Sequence, residues 1–228
     1  MERALTRLEH DVRSLMTDVL EMGANVESMF SRASLALAAG NVPGAQQVIA
    51  SDDEIDQAEL EIERQCIMLL AEGPLGNDLR RIEAALKIVT DLERLADLAV
   101  DLARSAIRLQ NFPETRALVD VTTLASRPPL MLRIALRAWF EGTAEGLMDV
   151  VRLEDATDEE TLDAVAGIQR RMGEGGEDLQ AMIELLFAVH HVERAADLAF
   201  AIADRVSFAE TGRLKSLPGS LRGDREAG

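Results

Sequence analysis

Apolar residues recur every three or four positions along most of the chain, and glycine- and proline-rich breaks cut that pattern into six long segments. Gly40-Asn41-Val42-Pro43-Gly44 closes the first, Gly73-Pro74-Leu75-Gly76-Asn77 the second and Asn111-Phe112-Pro113 the third. Gly142 parts the fourth from the fifth. Gly173-Glu174-Gly175-Gly176 ends the fifth, and the sixth fades near Thr211-Gly212. The third segment is the clearest. Its Leu79, Ile82, Leu86, Val89, Ala96, Val100 and Ala103 keep the spacing of an amphipathic helix, and Asn77 stands where an N-cap would. About 30 residues at 1.5 Å each make a rod of roughly 45 Å, and rods of that length joined by short turns pack as antiparallel neighbours. Pro128-Pro129 predicts a kink or a late start for the fourth helix. Residues 212–228 have no repeating apolar face and read as a disordered tail.

The pattern occurs twice. Asp78–Ala103 aligned with Asp178–Ala203, an offset of 100, matches at 11 of 26 positions, among them Glu93/Glu193, Arg94/Arg194, Asp97/Asp197 and Leu98/Leu198. Upstream the offset is 102. Gly40, Gly44, Val48, Asp53, Asp56 and Leu60 return as Gly142, Gly146, Val150, Asp155, Asp158 and Leu162. The two-residue change falls in the turn, where GPLGN shortens to GEGG. The predicted fold is therefore all-α: two tandem three-helix bundles, residues 1–111 and 112–211, built from six long antiparallel helices.

Composition narrows the function. The net charge of −17 opposes binding to nucleic acid or to an anionic membrane surface. Aromatics make up 3% of the chain, with no Tyr, which favours helices over sheet. A lone cysteine, Cys66, forms no internal disulfide and points to a reducing, cytoplasmic setting; it lies on an apolar stripe with Ile62 and Leu69 and reads as core. The first residues carry charge throughout, so no secretory leader is expected, and no stretch is apolar enough to insert in a membrane.

A heptad run through the third helix puts Glu93 in the row Leu79, Leu86, Glu93, Val100, Ile107, and the sixth helix repeats this with Leu179, Leu186, Glu193, Phe200. A lone buried carboxylate would be costly or protonated, so these glutamates need partners. Asp97 and Asp101 continue the first row. Asp197 continues the second, with Ala201 in place of the third acid and His190 one turn earlier. The second helix offers Asp52, Asp53, Asp56 and Glu59, and the fifth offers Glu154, Asp155 and Asp158. Arg94 and Arg194 point about 100° away from these rows. A bound cation is the remaining counter-charge. An oxygen-rich, sulfur-free donor set suits Mg²⁺, Mn²⁺, Ca²⁺ or iron better than a structural Zn²⁺. The alternative is an acidic face that binds a partner protein.

Nothing points to covalent catalysis. No His follows a Glu by three, as in di-iron carboxylate bundles, and there is neither a P-loop nor a dinucleotide-binding glycine fingerprint. No catalytic and no organic-cofactor residues are expected. His10 reads as a surface residue and the nine methionines as core filler.

Met22-Gly23, Ser51–Glu63 (SDDEIDQAELEIE), Asn77–Asp97 (NDLRRIEAALKIVTDLERLAD), Leu153–Asp163 (LEDATDEETLD) and His190–Asp197 (HHVERAAD) together resemble the PhoU family of phosphate-uptake regulators, over about residues 5–210. The resemblance implies two three-helix bundles, usually in a homodimer, and E/D-x-x-x-D pairs that hold metal clusters in some members. On it, Glu93, Asp97 and Asp101 join Asp52 and Asp56 in one site, and Glu193 and Asp197 join Glu154 and Asp158 in the other. The implied metals are Fe, Mn, Mg, Zn or Ca. Ala201, and Thr161 where the first repeat has Glu59, imply a smaller second site. The implied role is regulatory rather than enzymatic: damping a phosphate ABC transporter through its ATPase and restraining a membrane sensor histidine kinase. Rival readings are an accessory to a sodium-coupled phosphate carrier, a metal-dependent hydrolase or oxidase, and a purely structural metal-binding scaffold.

Overall fold

The computed structural model describes residues 2–175, 178–213 and 217–218. Among them the chain is helical, without strands: α1 (Glu2–Ala39), α2 (Val42–Ala50), α3 (Asp52–Ala71), α4 (Gly76–Arg108), α5 (Pro113–Arg116), α6 (Val121–Leu124), α7 (Arg127–Glu141), α8 (Leu147–Glu174) and α9 (Leu179–Thr211). The first bundle is α1, α2–α3 and α4; the second is α7, α8 and α9. Helices α1, α4, α9 and α7 each pack against the next to form a central ring. α3 covers the α1/α4 edge and α8 the α7/α9 edge.

The repeat governs local structure. Helices α1 and α7 end in the same motif. Gly40 and Gly142 take φ of 63° and 65°, and the following residues bond five back, Asn41 N–H to Ala36 O at 2.8 Å and Thr143 N–H to Ala138 O at 3.0 Å. Glycine is favoured there because a Cβ strains the left-handed backbone. The second segment, predicted as one helix, is broken at Ser51 into α2 and α3; Asn41 Oδ1 accepts from Gly44 N–H at 3.1 Å to cap α2. Pro128-Pro129 sit in the first turn of α7, where their missing N–H groups cost nothing, so this helix starts late rather than kinking. Asn77 is not a cap. α4 begins one residue before it, after an extended Leu75, and Asn77 Oδ1 accepts from Arg80. Of the stretch 212–228 predicted as a tail, only Gly212, Arg213, Leu217 and Pro218 lie within the described residues. Leu217 is buried, and its N–H meets Asp204 Oδ1 at 3.2 Å.

The core is aliphatic and continuous through both bundles, with Trp139 its largest member; the indole N–H donates to Met16 O at 3.3 Å and ties α7 to α1. Close approach of these two helices depends on Gly23, where an added Cβ would stand 2.2 Å from Leu136 Cδ1. Gly23→Ala is expected to lower stability by about 1–3 kcal/mol through overpacking, read from a denaturant midpoint. An unchanged midpoint would mean that Leu136 simply turns away.

Polar contacts stitch α4 to α9, and none of them was foreseen from the sequence. The pairs Arg81–Glu210, Asp91–Arg205 and Ser105–Glu184 run in opposite order along the two helices, which are therefore antiparallel. Arg81 Nε and a second guanidinium nitrogen hold the Glu210 carboxylate at 3.0 and 3.1 Å. Asp91, buried, accepts from Arg205 Nε at 2.7 Å, and Glu184 meets both Ser105 Oγ at 2.6 Å and Arg108 at 2.8 Å. Asp91 was legible: it falls between Ile88 and Leu95 on a face that must be covered.

Candidate metal centres

The rows containing Glu93 and Glu193 are not the centre of the helix interface. Leu79 and Leu179, which share those rows, are exposed, while Ile82, Val89, Ala96 and Ala103 are buried. The reason is a drift between the 3.5-residue heptad and the 3.6-residue helix: the apolar seam leaves one row and moves to the next. The acidic rows therefore border the core, where α4 meets α3 and α9 meets α8.

In the second repeat the geometry is compact. One carboxylate oxygen from each of Glu154, Asp158 and Asp197 lies within 4.8 Å of the other two. Glu154 and Asp158 are one turn apart on α8, and Asp197 faces them from α9. Glu154 is 6% exposed. Burial raises the Asp197 carboxyl above its ordinary range and neighbouring Glu193 adds to the rise, against the pull of Arg194 and His190. Three residues beyond Asp158, Thr161 is buried, and its Oγ1 has no hydrogen-bond partner among the described residues.

In the first repeat the equivalent residues, Asp52, Asp56 and Asp97, form no such compact trio, but they sense one another. Burial raises the Asp52 carboxyl, and Asp56 and Asp97 push it further, against Arg104. Glu93 is raised to about 7, by burial first, then by Asp97, Glu59 and Asp56; as the acid it hydrogen-bonds Asp97. Glu59 is raised by burial and by Glu63, with the Thr90 hydroxyl opposing.

The remaining predicted ligands divide. Asp101 is held by Arg104 at 2.9 Å. His190 Nδ1 lies 3.2 Å from Glu193 Oε2, which gives that glutamate a partner on its own helix. Asp53 and Asp155 are exposed and belong to no compact trio. Arg94 lies 3.7 Å from Asp91, yet it also lowers the Glu59 carboxyl, and Arg194 lowers that of Asp197, so neither arginine is clear of the acidic rows. Arg104, which moderates the first cluster, was missed. It lies seven residues beyond Asp97, nearly two full turns on the same side of α4, a spacing that places it there.

The donor set fits a hard cation. Three oxygens bound at about 2.3–2.6 Å lie no more than about 5 Å apart, and the Glu154–Asp158–Asp197 trio meets that limit. No cysteine joins either group, since Cys66 is buried in the core and its thiol is pushed up to about 12 by burial. A buried hydroxyl such as that of Thr161 is the kind of group that a bound water satisfies.

Two repeats of this form, each a three-helix unit with an acidic seam, define a class of protein. The chain belongs to the PhoU domain family, whose pattern it matches twice, over residues 19–106 and 129–206. It is 31% identical over 219 residues to the "Phosphate-specific transport system accessory protein PhoU homolog" of Synechocystis, covering 93% of this chain and 92% of that protein. It is 33% identical over 204 residues to the Pseudomonas aeruginosa protein of the same description, covering 89% and 83%. The crystal structure of PhoU from Pseudomonas aeruginosa superposes with a TM-score of 0.84 at 30% identity, over 90% of this chain and 99% of that one. The crystal structure of the phosphate transport system regulatory protein PhoU from Streptococcus pneumoniae gives 0.81 at 26%, over 92% and 100%.

Proposed function

We propose that the chain is an accessory regulator of phosphate-specific transport, which damps uptake when phosphate is plentiful and acts by contact with other proteins rather than by catalysis. The observation that carries this reading is end-to-end similarity to proteins described as accessory to that system, covering 93% of this chain and 92% of the Synechocystis relative. Its partners in the reading are the ATPase of a phosphate ABC transporter and a membrane sensor histidine kinase. The protein works in the cytoplasm as a homodimer of two-repeat chains, with repeats at 1–111 and 112–211. Among the described residues no helix is long and apolar enough to cross a membrane, which accords with a role beside membrane partners rather than within the bilayer.

The acidic seams are the regulatory candidates. Glu154, Asp158 and Asp197 would hold one cation, and Asp52, Asp56 and Asp97, with Glu93, the other. A cation there supplies positive charge between carboxylates that otherwise repel, and so locks α3 to α4 and α8 to α9. The second seam, with Thr161 and Ala201 in place of acids, is the smaller.

In cells lacking their own copy, expression of this chain is expected to lower phosphate uptake under phosphate-replete conditions several-fold. The double variant Asp97→Asn/Asp197→Asn should fold yet restrain uptake less. Uptake that ignores the wild-type chain would sink the reading.

A further inference from the structure

Large apolar side chains are exposed along α3 and around the turn that joins it to α4 in a hairpin. Leu60 is 59% exposed and Ile67 64%, and they lie two turns apart on one face of α3. Leu75, in the turn, is 82% exposed, and Leu79, in the first turn of α4, is 42% exposed. Met68 is exposed beside them. The other faces of α3 are occupied by α1 and α4, so this one is left bare. Isolated exposed leucines are ordinary; five large apolar residues exposed within 20 positions, along the outer side of α3 and through the turn into α4, are an unusual run.

The same hairpin is strongly acidic. Between Ser51 and Leu79 there are nine carboxylates and one basic residue, Arg64, so this stretch holds about half of the chain's net charge of −17. Arg64 is already engaged, bonding Glu61 at 2.7 Å. The second repeat copies the patch only in part: Leu162 and Leu179 are exposed like Leu60 and Leu79, but Gln169 stands where the first has Ile67, and Arg170 and Arg171 follow it.

We propose that this hairpin end docks a cationic amphipathic helix of a partner protein, with apolar residues set against Leu60, Ile67, Leu75 and Leu79 and Lys or Arg set against the carboxylates of α3. The proposal rests on reading the chain as a contact regulator, and it names the chemistry of one contact. Charge selects this occupant over the others. A second copy would bring an equally acidic hairpin against this one, and like charges at an interface suppress pairing. An anionic lipid surface is repelled for the same reason. A cationic helix gains both the apolar burial and the attraction.

The test uses the full-length protein and a fluorescent 18-residue amphipathic helix of Leu and Lys, titrated by anisotropy in 150 mM salt. The variant Ile67→Ser/Leu79→Ser keeps the net charge and alters only exposed side chains. It should weaken binding at least tenfold, whereas Leu130→Ser/Phe140→Ser, equally exposed but on α7, should leave it unchanged. A Leu/Glu helix of the same pattern should not bind. Equal binding by wild type and Ile67→Ser/Leu79→Ser would overturn the proposal. So would sedimentation showing a dimer that this variant dissolves, since the patch would then be covered by a second copy. Circular dichroism confirms that each variant is folded. The titration involves no transport, so its failure leaves the phosphate reading intact, and a failure of phosphate regulation leaves the titration result standing.

Discussion

Metal-free protein will be less stable at pH 8 than at pH 5, and saturating divalent cation will reverse the loss. The ordinary Glu carboxyl titrates near 4.5, and in the folded chain Glu93 is held at about 7 by burial and by Asp97, Glu59 and Asp56. A raised folded value means that the acid form is favoured by folding. The contribution is complete below pH 4.5 and is lost as the pH climbs through 7. Glu93 is partly solvated, so the loss is about 1–2 kcal/mol after screening is allowed for. Asp52, Glu59 and Asp197 shift in the same direction and add to it, while His191, lowered by burial, offsets part of it. At about 2–4 °C per kcal/mol for a chain of this size, melting curves will resolve it. A cation present at 100 times its dissociation constant returns about 2.7 kcal/mol at pH 8, and much less at pH 5, where protons compete for the same oxygens. Glu93→Gln should flatten the metal-free profile. A profile that rises from pH 5 to pH 8 would mean that the carboxylates are better compensated than this structure places them.

Cutting the joint between the repeats will have the second large effect. Asp91 is buried, and its near partner is Arg205 Nε at 2.7 Å, with Arg94 further off at 3.7 Å. Arg205→Leu leaves that carboxylate poorly compensated in a dry helix interface. The expected cost is about 2–4 kcal/mol, toward the lower side for a pair with one half-exposed member. Asp91→Asn/Arg205→Leu should recover part of it, because no charge is then left behind. Chemical denaturation of the three proteins checks both statements. If Arg205→Leu unfolds at the wild-type midpoint, the apolar α4–α9 contact suffices to hold the repeats together and the ion pair contributes little.

The sequence made the architecture legible because the repeat is strong. A duplicated Gly40/Gly142 stop, a duplicated acidic row and a long 3-and-4 apolar pattern each report on a local property that tertiary packing does not overrule. The break at Ser51 was hidden, since Asp52–Ala71 continues an amphipathic pattern across it. The depth of the acidic row was hidden as well. A heptad assigned Glu93 to the same seam as Leu79, and the true packing seam drifts off that row, leaving Leu79 in solvent and Glu93 at the edge of the core. The trio of Glu154, Asp158 and Asp197 follows from spacing once α8 is known to lie against α9. The pairing of Asp101 with Arg104, and of Glu193 with His190, depends on rotamers that spacing alone does not choose.

Cation binding itself is the most direct test of the account. Protein stripped with chelator, incubated with Mn²⁺ at pH 7.5 and desalted should carry metal by elemental analysis. Glu154→Gln/Asp197→Asn should lose the share held by the compact trio, and Asp56→Asn/Asp97→Asn the share held in the first repeat. Protein that emerges metal-free with Mn²⁺, and again with Fe²⁺, Zn²⁺, Ca²⁺ and Mg²⁺, would show that these carboxylates face one another across both seams with nothing but protons and water between them.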